Sequence, residues 1–422
     1  MNKNFTVNDK INLGYYPNYS LDISDINGDG KMEFITMDTA GNLLKVMNLN
    51  GELLFEKNLN NNGNWGTPLV CTADINCDHR DEIIVPDGES IIAYDGSGKK
   101  IKERNFGGLQ KDDYGIAVPL LGAAKINSSG YKSIIACLAG GTIFALDADF
   151  NIIWKAEGLR KDFGHEIHFA DVDGDGFDEI AVCTVDHINQ SFGNGCNGDL
   201  LMLDHDGKVL LRRRVDDYIK DTHFDDIAMA DFFGNGTCQI LVEKGLLLDT
   251  RGNVIWDLSG KMEHGQWISH ALNPGGKGRI IFISELWGGA KKSMLFTGSG
   301  QKIGDIGKLP WPANLNQELS FLPSRCHIFR WNRESEPEIF LTQQAYAIGN
   351  GHTCTKTRYF QLTGLFLDLN GNLINEIPIN DAQIQGYYYN GEVHSRTADV
   401  DGDGQTEIVF PRQDGHIMII HR

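Results

Sequence analysis

A ten-residue pattern recurs along the whole chain and constrains the fold more than any other feature of the sequence. Its clear copies are DINGDGKMEF from Asp25, DINCDHRDEI from Asp74, DVDGDGFDEI from Asp171, DFFGNGTCQI from Asp231 and DVDGDGQTEI from Asp399. Weaker copies are KINSSGYKSI from Lys125, NPGGKGRIIF from Asn273 and RWNRESEPEI from Arg330. Their mean spacing of roughly 50 residues is typical of the blades of a β-propeller.

The segments between the copies predict short strands. The apolar run EIAVCT, for example, begins with the last two residues of the Asp171 copy. A second apolar run and a turn follow in LLMLDHDGKV. Turn residues at each junction indicate four strands per repeat. A single sheet of this kind cannot bury both of its faces, so eight of them favour one all-β domain over residues 1–422. We therefore predict a β-propeller with eight blades of four antiparallel strands, and seven blades is the alternative because three copies are weak.

The two ends of the chain predict how the ring closes. After DGHIMIIHR the last repeat is one strand short, and NFTVNDKINL stands before the first repeat. We expect residues 4–13 to supply the missing strand by pairing with residues 417–421. This pairing would close the ring between the first and last blades.

Composition limits the possible partners and compartment. The net charge of −19 argues against a nucleic-acid or anionic-membrane partner, which would require a basic patch. No stretch is long and apolar enough to span a membrane, and the first residues lack the apolar core of a signal peptide. We expect a cytoplasmic protein, with a secreted protein whose signal peptide has been removed as the alternative. The eight cysteines include no C-x-x-C pair, which favours free thiols.

Three of the acidic copies are candidate calcium loops. Oxygen-bearing side chains recur at alternate positions, a glycine follows the third, and a glutamate comes later, as calcium favours. The candidate ligands are Asp25, Asn27, Asp29 and Glu33; Asp171, Asp173, Asp175 and Glu179; and Asp399, Asp401, Asp403 and Glu407. The alternative is that these copies are plain acidic turns between the first and second strands of a blade. In either case we expect them to be structural and to lie on one face of the ring.

The loops expected on the opposite face carry most of the histidines, together with cations and aromatic rings. The candidates there are His165, His168, His187, His223, His264, His270, His327, His352, His394, Lys220, Lys244, Arg325, Lys356, Arg358, Trp267, Trp287, Tyr346 and Tyr387 to Tyr389. Two long loops, from Val185 and from Gln343, lie in the same half of the chain, and long loops on a rigid scaffold are often functional. Cations neutralise a carboxylate and flat rings stack on sugars, so this face suits an anionic oligosaccharide or polysaccharide.

The repeated ADVDGDGxxEI blades resemble the propeller polysaccharide lyases, namely rhamnogalacturonan, ulvan and rhamnose–glucuronate lyases, with a related group of rhamnosidases. In ulvan-type lyases a histidine at the start of a blade's first strand acts with a second histidine about twenty residues later. His165 or His168 matches the first position and His187 matches the second. The family's arginine has no close match, since the next blade offers only Lys220, His223 and Lys244.

The resemblance implies β-elimination at a uronate-containing, rhamnose–uronate type of glycan. A cation stabilises the charge that develops on the carboxylate, one neutral histidine removes the C5 proton, and a second donor protonates the leaving oxygen. We expect His165 and His187 to be the acid–base pair, with His168 as a substitute. Lys244 or Arg325 is the expected neutraliser and Tyr388 a supporting donor. The remaining members of the face are expected to bind substrate: His223, Lys220, His264, Trp267, His270, Trp287, Arg325, His352, Arg358, Tyr387 and His394.

Two other functions stay open at this point. A rhamnosidase acting on rhamnose–glucuronate would need a carboxylate pair, to be sought in Glu166, Asp225 and Glu285. A sugar- or protein-binding propeller would need no catalytic group. Cys196, His352 and Cys354 would form a zinc site if the two long loops met, but lone cysteines are more often buried small hydrophobes, so we expect no zinc there.

Overall fold

The computed structural model describes residues 5–17, 20–63, 70–112, 115–187, 196–220, 222–262, 265–274, 276–285, 294–304, 306, 319–323, 327–347, 353–387, 395–412 and 414–422. The strands up to the middle of the chain are β1 (Thr6–Asn12), β2 (Leu21–Ser24), β3 (Glu33–Met37), β4 (Leu43–Met47), β5 (Leu53–Asn58), β6 (Cys71–Ala73), β7 (Glu82–Asp87), β8 (Ser90–Tyr94), β9 (Lys100–Asn105), β10 (Leu120–Ala124), β11 (Ser133–Leu138), β12 (Thr142–Leu146), β13 (Ile152–Ala156), β14 (Asp162–Ala170), β15 (Glu179–His187), β16 (Cys196–Leu203) and β17 (Val209–Arg214). The remaining strands are β18 (Ile227–Ala230), β19 (Gln239–Val242), β20 (Leu246–Asp249), β21 (Val254–Asp257), β22 (Gly265–Leu272), β23 (Arg279–Glu285), β24 (Met294–Thr297), β25 (Lys302–Gly304), β26 (Leu319–Pro323), β27 (His327–Phe329), β28 (Glu338–Ala347), β29 (Thr353–Leu367), β30 (Leu373–Tyr387), β31 (Arg396–Ala398), β32 (Glu407–Pro411) and β33 (His416–His421).

These strands form eight separate antiparallel sheets, which are the blades of a β-propeller. Consecutive strands are neighbours in each sheet, so β2–β5 form blade 1, β14–β17 form blade 4 and β18–β21 form blade 5. Blade 7 has a fifth strand, because β26 and β27 both pair with β28. The prediction of eight blades is confirmed and the alternative of seven is wrong, since each weak copy of the pattern also lies between the first two strands of a blade.

The ring closes as the sequence predicts. Strand β1 pairs with β33, from Thr6 opposite His421 to Asn12 opposite His416. The order β31–β32–β33–β1 therefore completes blade 8 with the N-terminal strand. Ile11 and Leu13 from this segment are fully buried, so closure also adds to the core.

The core lies between neighbouring blades. Second strands such as β3 and β11 are buried at every residue, because they are covered on both faces by adjacent sheets. This explains their unbroken apolar runs. Fourth strands such as β5 form the outer rim and leave apolar side chains like Leu53 half exposed.

First strands of successive blades contact one another and surround the central axis, for example β10 with β14 and β14 with β18. Each first strand ends at its blade's copy of the ten-residue pattern, so its other end lies on the opposite face of the ring. We call the copies that begin at Asp25, Asp74, Asp171, Asp231 and Asp399 the aspartate loops. The helices of the described ranges are two short 3-10 turns, Val215–Asp217 and Ser259–Lys261. None of the helices described is long and apolar enough to cross a membrane.

Candidate functional site

The site lies at the seam between blades 4 and 5, at the ends of their first strands that face away from the aspartate loops. The backbone N–H of His165 donates to the carbonyl of Asp225, 3.1 Å away, and this bond joins the two blades. Gly164 permits the close approach, because a Cβ there would lie 3.0 Å from the carbonyl oxygen of Phe224. At this seam, strand β14 with His165 and His168 lies against the segment of blade 5 that contains Asp225 and Asp226.

A bulge in β14 determines where its histidines point. Phe163 pairs with Thr184 and Ile167 pairs with Val182, so β14 carries two extra residues opposite β15. Regular alternation would direct residues 165 and 168 to opposite faces of the sheet. With the bulge, His165 and His168 both contact blade 5.

One buried carboxylate lies between two histidines. The Nε2 atom of His165 is 3.6 Å from Oδ1 of Asp225, and Nε2 of His223 is 3.1 Å from Oδ2 of the same residue. The Asp225 side chain is 4% exposed, whereas that of His165 is 33% exposed. Asp225 therefore lies behind both rings, within hydrogen-bonding distance of His223, while His165 presents an accessible edge.

A second pair repeats the arrangement one residue further along. Nε2 of His168 is 3.4 Å from Oδ1 of Asp226, whose side chain is 2% exposed. Oδ2 of Asp226 accepts the backbone N–H of Ile268 at 2.7 Å. Asp226 thus ties blade 4, blade 5 and the first strand of blade 6 together.

Glu243, in the turn between β19 and β20, supports both aspartates. Its carboxylate accepts the backbone N–H groups of Asp225 at 3.1 Å and Asp226 at 3.3 Å. Burial raises the pKa of Glu243 well above its usual range, and the neighbouring Asp225 and Asp226 add to this, while Lys244 opposes it. The Lys244 ammonium is 3.4 Å from Glu243, and its side chain is only 4% exposed. Lys244 was predicted to neutralise a substrate carboxylate, but it faces a carboxylate of the protein instead.

Two other predicted site residues lie elsewhere. Trp267 is 2% exposed and packs in the core, so the stacking on sugar predicted for it does not fit this structure. His270 lines a cavity of about 390 Å³ beside Asp171 and Asp173, on the aspartate-loop side and not with His165. Arg279 donates to its Nδ1 at 3.1 Å, and burial, aided by Arg279, lowers the pKa of His270 to about 3.

The other candidates are described in part or not at all. Lys220 is exposed, three residues before His223. For His187 in β15, Arg358 in β29 and Tyr387 in β30, the structure describes the backbone and not the side chain. Asp162 pairs with Val185, so the end of β15 with His187 extends past the start of β14. The candidates outside the described residues are His264, Trp287, Arg325, His352, Tyr388, Tyr389 and His394.

Sequence reasoning missed Asp226 and Glu243, and it considered Asp225 only as a hydrolase carboxylate. Both have a signal in the sequence. The pair Asp225–Asp226 directly precedes the apolar strand IAMA, and Glu243–Lys244 interrupts the apolar run LVEKGLLL. Charged side chains are almost never fully buried unless they are paired. A charged residue inside an apolar run therefore indicates a buried partner. These charged residues can be identified from the sequence as buried and paired. The sequence does not show which blade supplies the partner of each.

The aspartate loops share one network of hydrogen bonds. In the Asp171 loop, Asp171 accepts the N–H groups of Gly174 and Gly176, and Glu179 accepts that of Val172. The Asp25 and Asp399 loops repeat these bonds at the corresponding positions. Burial, with the loop aspartates, raises the pKa of the closing glutamate, to about 7 for Glu33 and Glu407 and in the same direction for Glu179.

The loops differ in their fit to a cation. Asp171, Asp173 and Glu179 offer three oxygens within 4.8 Å of one another, as do Asp399, Asp401 and Glu407. These oxygen sets suit calcium, so calcium there stays a prediction.

The Asp25 loop differs from these two loops at its second predicted ligand, and calcium there also stays a prediction. The Asn27 amide NH2 donates to Oε1 of Glu33 at 2.9 Å, while its Oδ1 accepts the N–H of Asp29 at 2.8 Å. Asp29 remains an acceptor of the Lys31 N–H at 2.8 Å. Among the residues described, no three His, Cys, Asp or Glu ligand atoms in this loop lie within 4.8 Å of one another.

Comparison with solved structures shows the same propeller fold at low sequence identity. The exotype rhamnogalacturonan lyase YesX matches with a TM-score of 0.58 and 16% identity over 99% of this chain and 73% of that one. The rhamnogalacturonan lyase YesW matches with a TM-score of 0.57 and 17% identity over 99% and 72%. BamB from Moraxella catarrhalis matches with a TM-score of 0.54 and 11% identity over 100% and 98%. No protein-family profile and no curated protein sequence matches this chain. Likeness at these identities shows the fold alone.

Proposed function

We propose that this protein is a lyase that cleaves a uronate-containing, rhamnose–uronate type of glycan by β-elimination. The observation that carries the proposal is the His165–Asp225–His223 arrangement, in which a buried carboxylate lies beside two imidazoles and the imidazole of His165 is accessible. The lyases among the similar structures support the substrate class.

In the proposed reaction, His165 removes the proton from C5 of the uronate. The electron pair forms a C4=C5 double bond, and the C4–O bond breaks. His187, at the adjacent end of β15, gives a proton to the leaving oxygen. The carboxylate of Asp225, 3.6 Å from Nε2 of His165, stabilises the imidazolium that forms, and a positioned base of this kind contributes roughly 100- to 10,000-fold to the rate. Since Lys244 is buried, the exposed Lys220 is the proposed neutraliser on the described part of this face.

A glycosidase fits the geometry less well. Both oxygens of Asp225 contact histidines, and its side chain lies behind them, so it is not placed to attack a sugar carbon. A carbohydrate-binding propeller is the other alternative, and it predicts affinity without turnover.

The experiment is an absorbance assay on rhamnogalacturonan and on rhamnose–uronate oligosaccharides, because elimination yields an unsaturated sugar that absorbs in the ultraviolet. His165→Ala, His187→Ala and Asp225→Asn should each lower turnover at least about 100-fold while melting close to the parent. His416→Ala is the matched control, because His416 is also 33% exposed and also beside a carboxylate, Asp414. Cleavage without the ultraviolet product indicates a hydrolase. Binding without cleavage indicates a non-catalytic propeller.

A further inference from the structure

A second cluster of polar side chains lies in blade 4, on the side of the aspartate loops. His205 stands in the turn between β16 and β17, and its Nδ1 is 3.4 Å from Oδ2 of Asp175. The imidazole also contacts the ring of Phe177, with centroids 4.9 Å apart. Trp154 of blade 3 donates to the carbonyl of His205 at 2.8 Å, so the turn is held in place from its backbone. The imidazole is therefore fixed against the Asp171 loop.

Two buried atoms of this cluster lack a hydrogen bond. Glu179 is 0% exposed, and one oxygen accepts the N–H of Val172 while Oε1 has no hydrogen-bond partner among the residues described. Nδ1 of His205 is likewise buried without a hydrogen bond from the described part of the chain. A buried polar atom left in this state costs free energy unless a proton, an ion or water satisfies it.

Two equivalent loops show what satisfies this oxygen elsewhere in the ring. In blades 1 and 2, the amides of Asn27 and Asn76 donate to Oε1 of Glu33 and Glu82, at 2.9 and 2.6 Å. Blade 4 has Asp173 at that position, and a carboxylate has no proton to donate. At this position blade 4 therefore has a hydrogen-bond acceptor where blades 1 and 2 have a donor. Nδ1 of His205 is a further polar atom beside it without a hydrogen bond.

The donor set suits a transition metal better than calcium. Asp175, Glu179 and His205 each offer one atom, and these atoms lie within 4.8 Å of one another. Ligands about 2.0–2.1 Å from a tetrahedral ion are about 3.4 Å apart, which the Asp175–His205 separation already matches. Calcium takes oxygen ligands, whereas imidazole nitrogen suits zinc.

We propose that Asp175, Glu179 and His205 bind a zinc ion in blade 4, with water as the fourth ligand. The ion would tie the loop between β14 and β15 to the turn between β16 and β17. The site shares Glu179 with the oxygen set of Asp171 and Asp173, so zinc and calcium compete in this loop. It is independent of the proposed lyase activity.

The test measures metal binding and melting of metal-free full-length protein with zinc chloride, calcium chloride or neither. All proteins carry Cys77→Ser, because a free, exposed thiol such as that of Cys77 could bind zinc on its own. Zinc should bind and raise the melting temperature more than calcium at equal concentration. His205→Phe keeps a ring against Phe177 without a ligand atom, and it should weaken zinc binding at least about tenfold.

Asp175→Asn and Asp403→Asn form a matched pair. Each aspartate accepts one backbone N–H at 2.8 Å, from Phe177 and Gln405, and asparagine retains that acceptor. Of the two, only Asp175→Asn should weaken zinc binding. This comparison tests the zinc site even if His205→Phe does not fold. The proposal is overturned if zinc neither binds nor shifts melting, if both asparagine variants bind zinc like the parent, or if calcium is preferred.

Discussion

Glu82→Gln should flatten the pH dependence of stability. Glu82 closes the Asp74 loop; it is 3% exposed and accepts the N–H of Ile75 and the amide of Asn76. Burial, together with Asp78, Asp74 and Asp81, raises the pKa of Glu82 from 4.5 to about 7. Below pH 4.5 the carboxyl is protonated in both the folded and the unfolded chain. Between pH 4.5 and 7 the unfolded chain loses the proton first, so stability falls as pH rises, and the fall ends above pH 7.

The magnitude follows from the width of that window. One pKa unit corresponds to about 1.36 kcal/mol, so a shift from 4.5 to about 7 lowers the free energy of unfolding by up to about 3 kcal/mol. The entropy of unfolding is about 2.1 cal/mol/K per residue, which for 422 residues gives about 1 °C per kcal/mol. Relative to the parent, the melting temperature of Glu82→Gln should rise by about 3 °C between pH 4.5 and 7.5.

The chain offers a precedent and a control. Gln239 occupies the same position in blade 5 and accepts the N–H of Phe232 at 2.9 Å, so the loop tolerates glutamine. Any cost of placing the new amide beside Asn76 is independent of pH and cancels in the comparison. Glu103→Gln on the exposed rim should leave a profile parallel to that of the parent. A constant difference between Glu82→Gln and the parent from pH 4.5 to 7.5, measured by calorimetry, would refute the reasoning.

Two further predictions concern closure of the ring and the acidic loops. Deleting residues 1–13 should lower the melting temperature by several degrees, because it exposes β33 and removes the buried Ile11 and Leu13, worth about 1.5–3 kcal/mol each; unchanged melting would contradict the closure. Calcium should stabilise the parent by about 2.7 kcal/mol at a hundredfold excess over Kd, and Asp401→Asn should reduce that gain. Melting curves indifferent to calcium and chelator would instead identify the loops as plain acidic turns.

The fold was predictable because its information is local and repeated. Each copy of the pattern specifies one loop and the strands beside it, and the missing last strand specifies the partner of β1. Even the degenerate copy at Asn273 forms a loop between the first two strands of a blade. Eight similar units can be counted without knowledge of any contact between them.

The site was only partly predictable because it depends on contacts between blades. His165 could be found from its place at the start of a first strand. Its partner Asp225 could not be assigned, because no spacing in the sequence states that the start of β18 contacts β14 at a bulge. Trp267 shows the converse error: its place in the chain suggests the ligand face, while its side chain is buried in the core.

Because the site depends on contacts between blades, we predict that the packing of blade 6 against blade 5 affects the site at the seam between blades 4 and 5. Gly265 starts β22, and a Cβ there would lie 1.7 Å from the carbonyl oxygen of Glu243 and 2.5 Å from its carbonyl carbon. Gly265→Ala must therefore push β22 and the Glu243 turn apart, and such overpacking costs about 1–3 kcal/mol. Glu243 holds the backbone of Asp225 and Asp226, so turnover should fall along with the melting temperature.

Gly260→Ala is the matched control for this change. A Cβ at Gly260 meets nothing within 4 Å, so alanine there should leave melting and turnover close to those of the parent. Melting is measured by calorimetry and turnover by ultraviolet absorbance per folded molecule. If Gly265→Ala melts earlier but turns over normally, Glu243 does not position the aspartates. If it behaves like Gly260→Ala in both measurements, the contact between β22 and the Glu243 turn is not as tight as the structure has it.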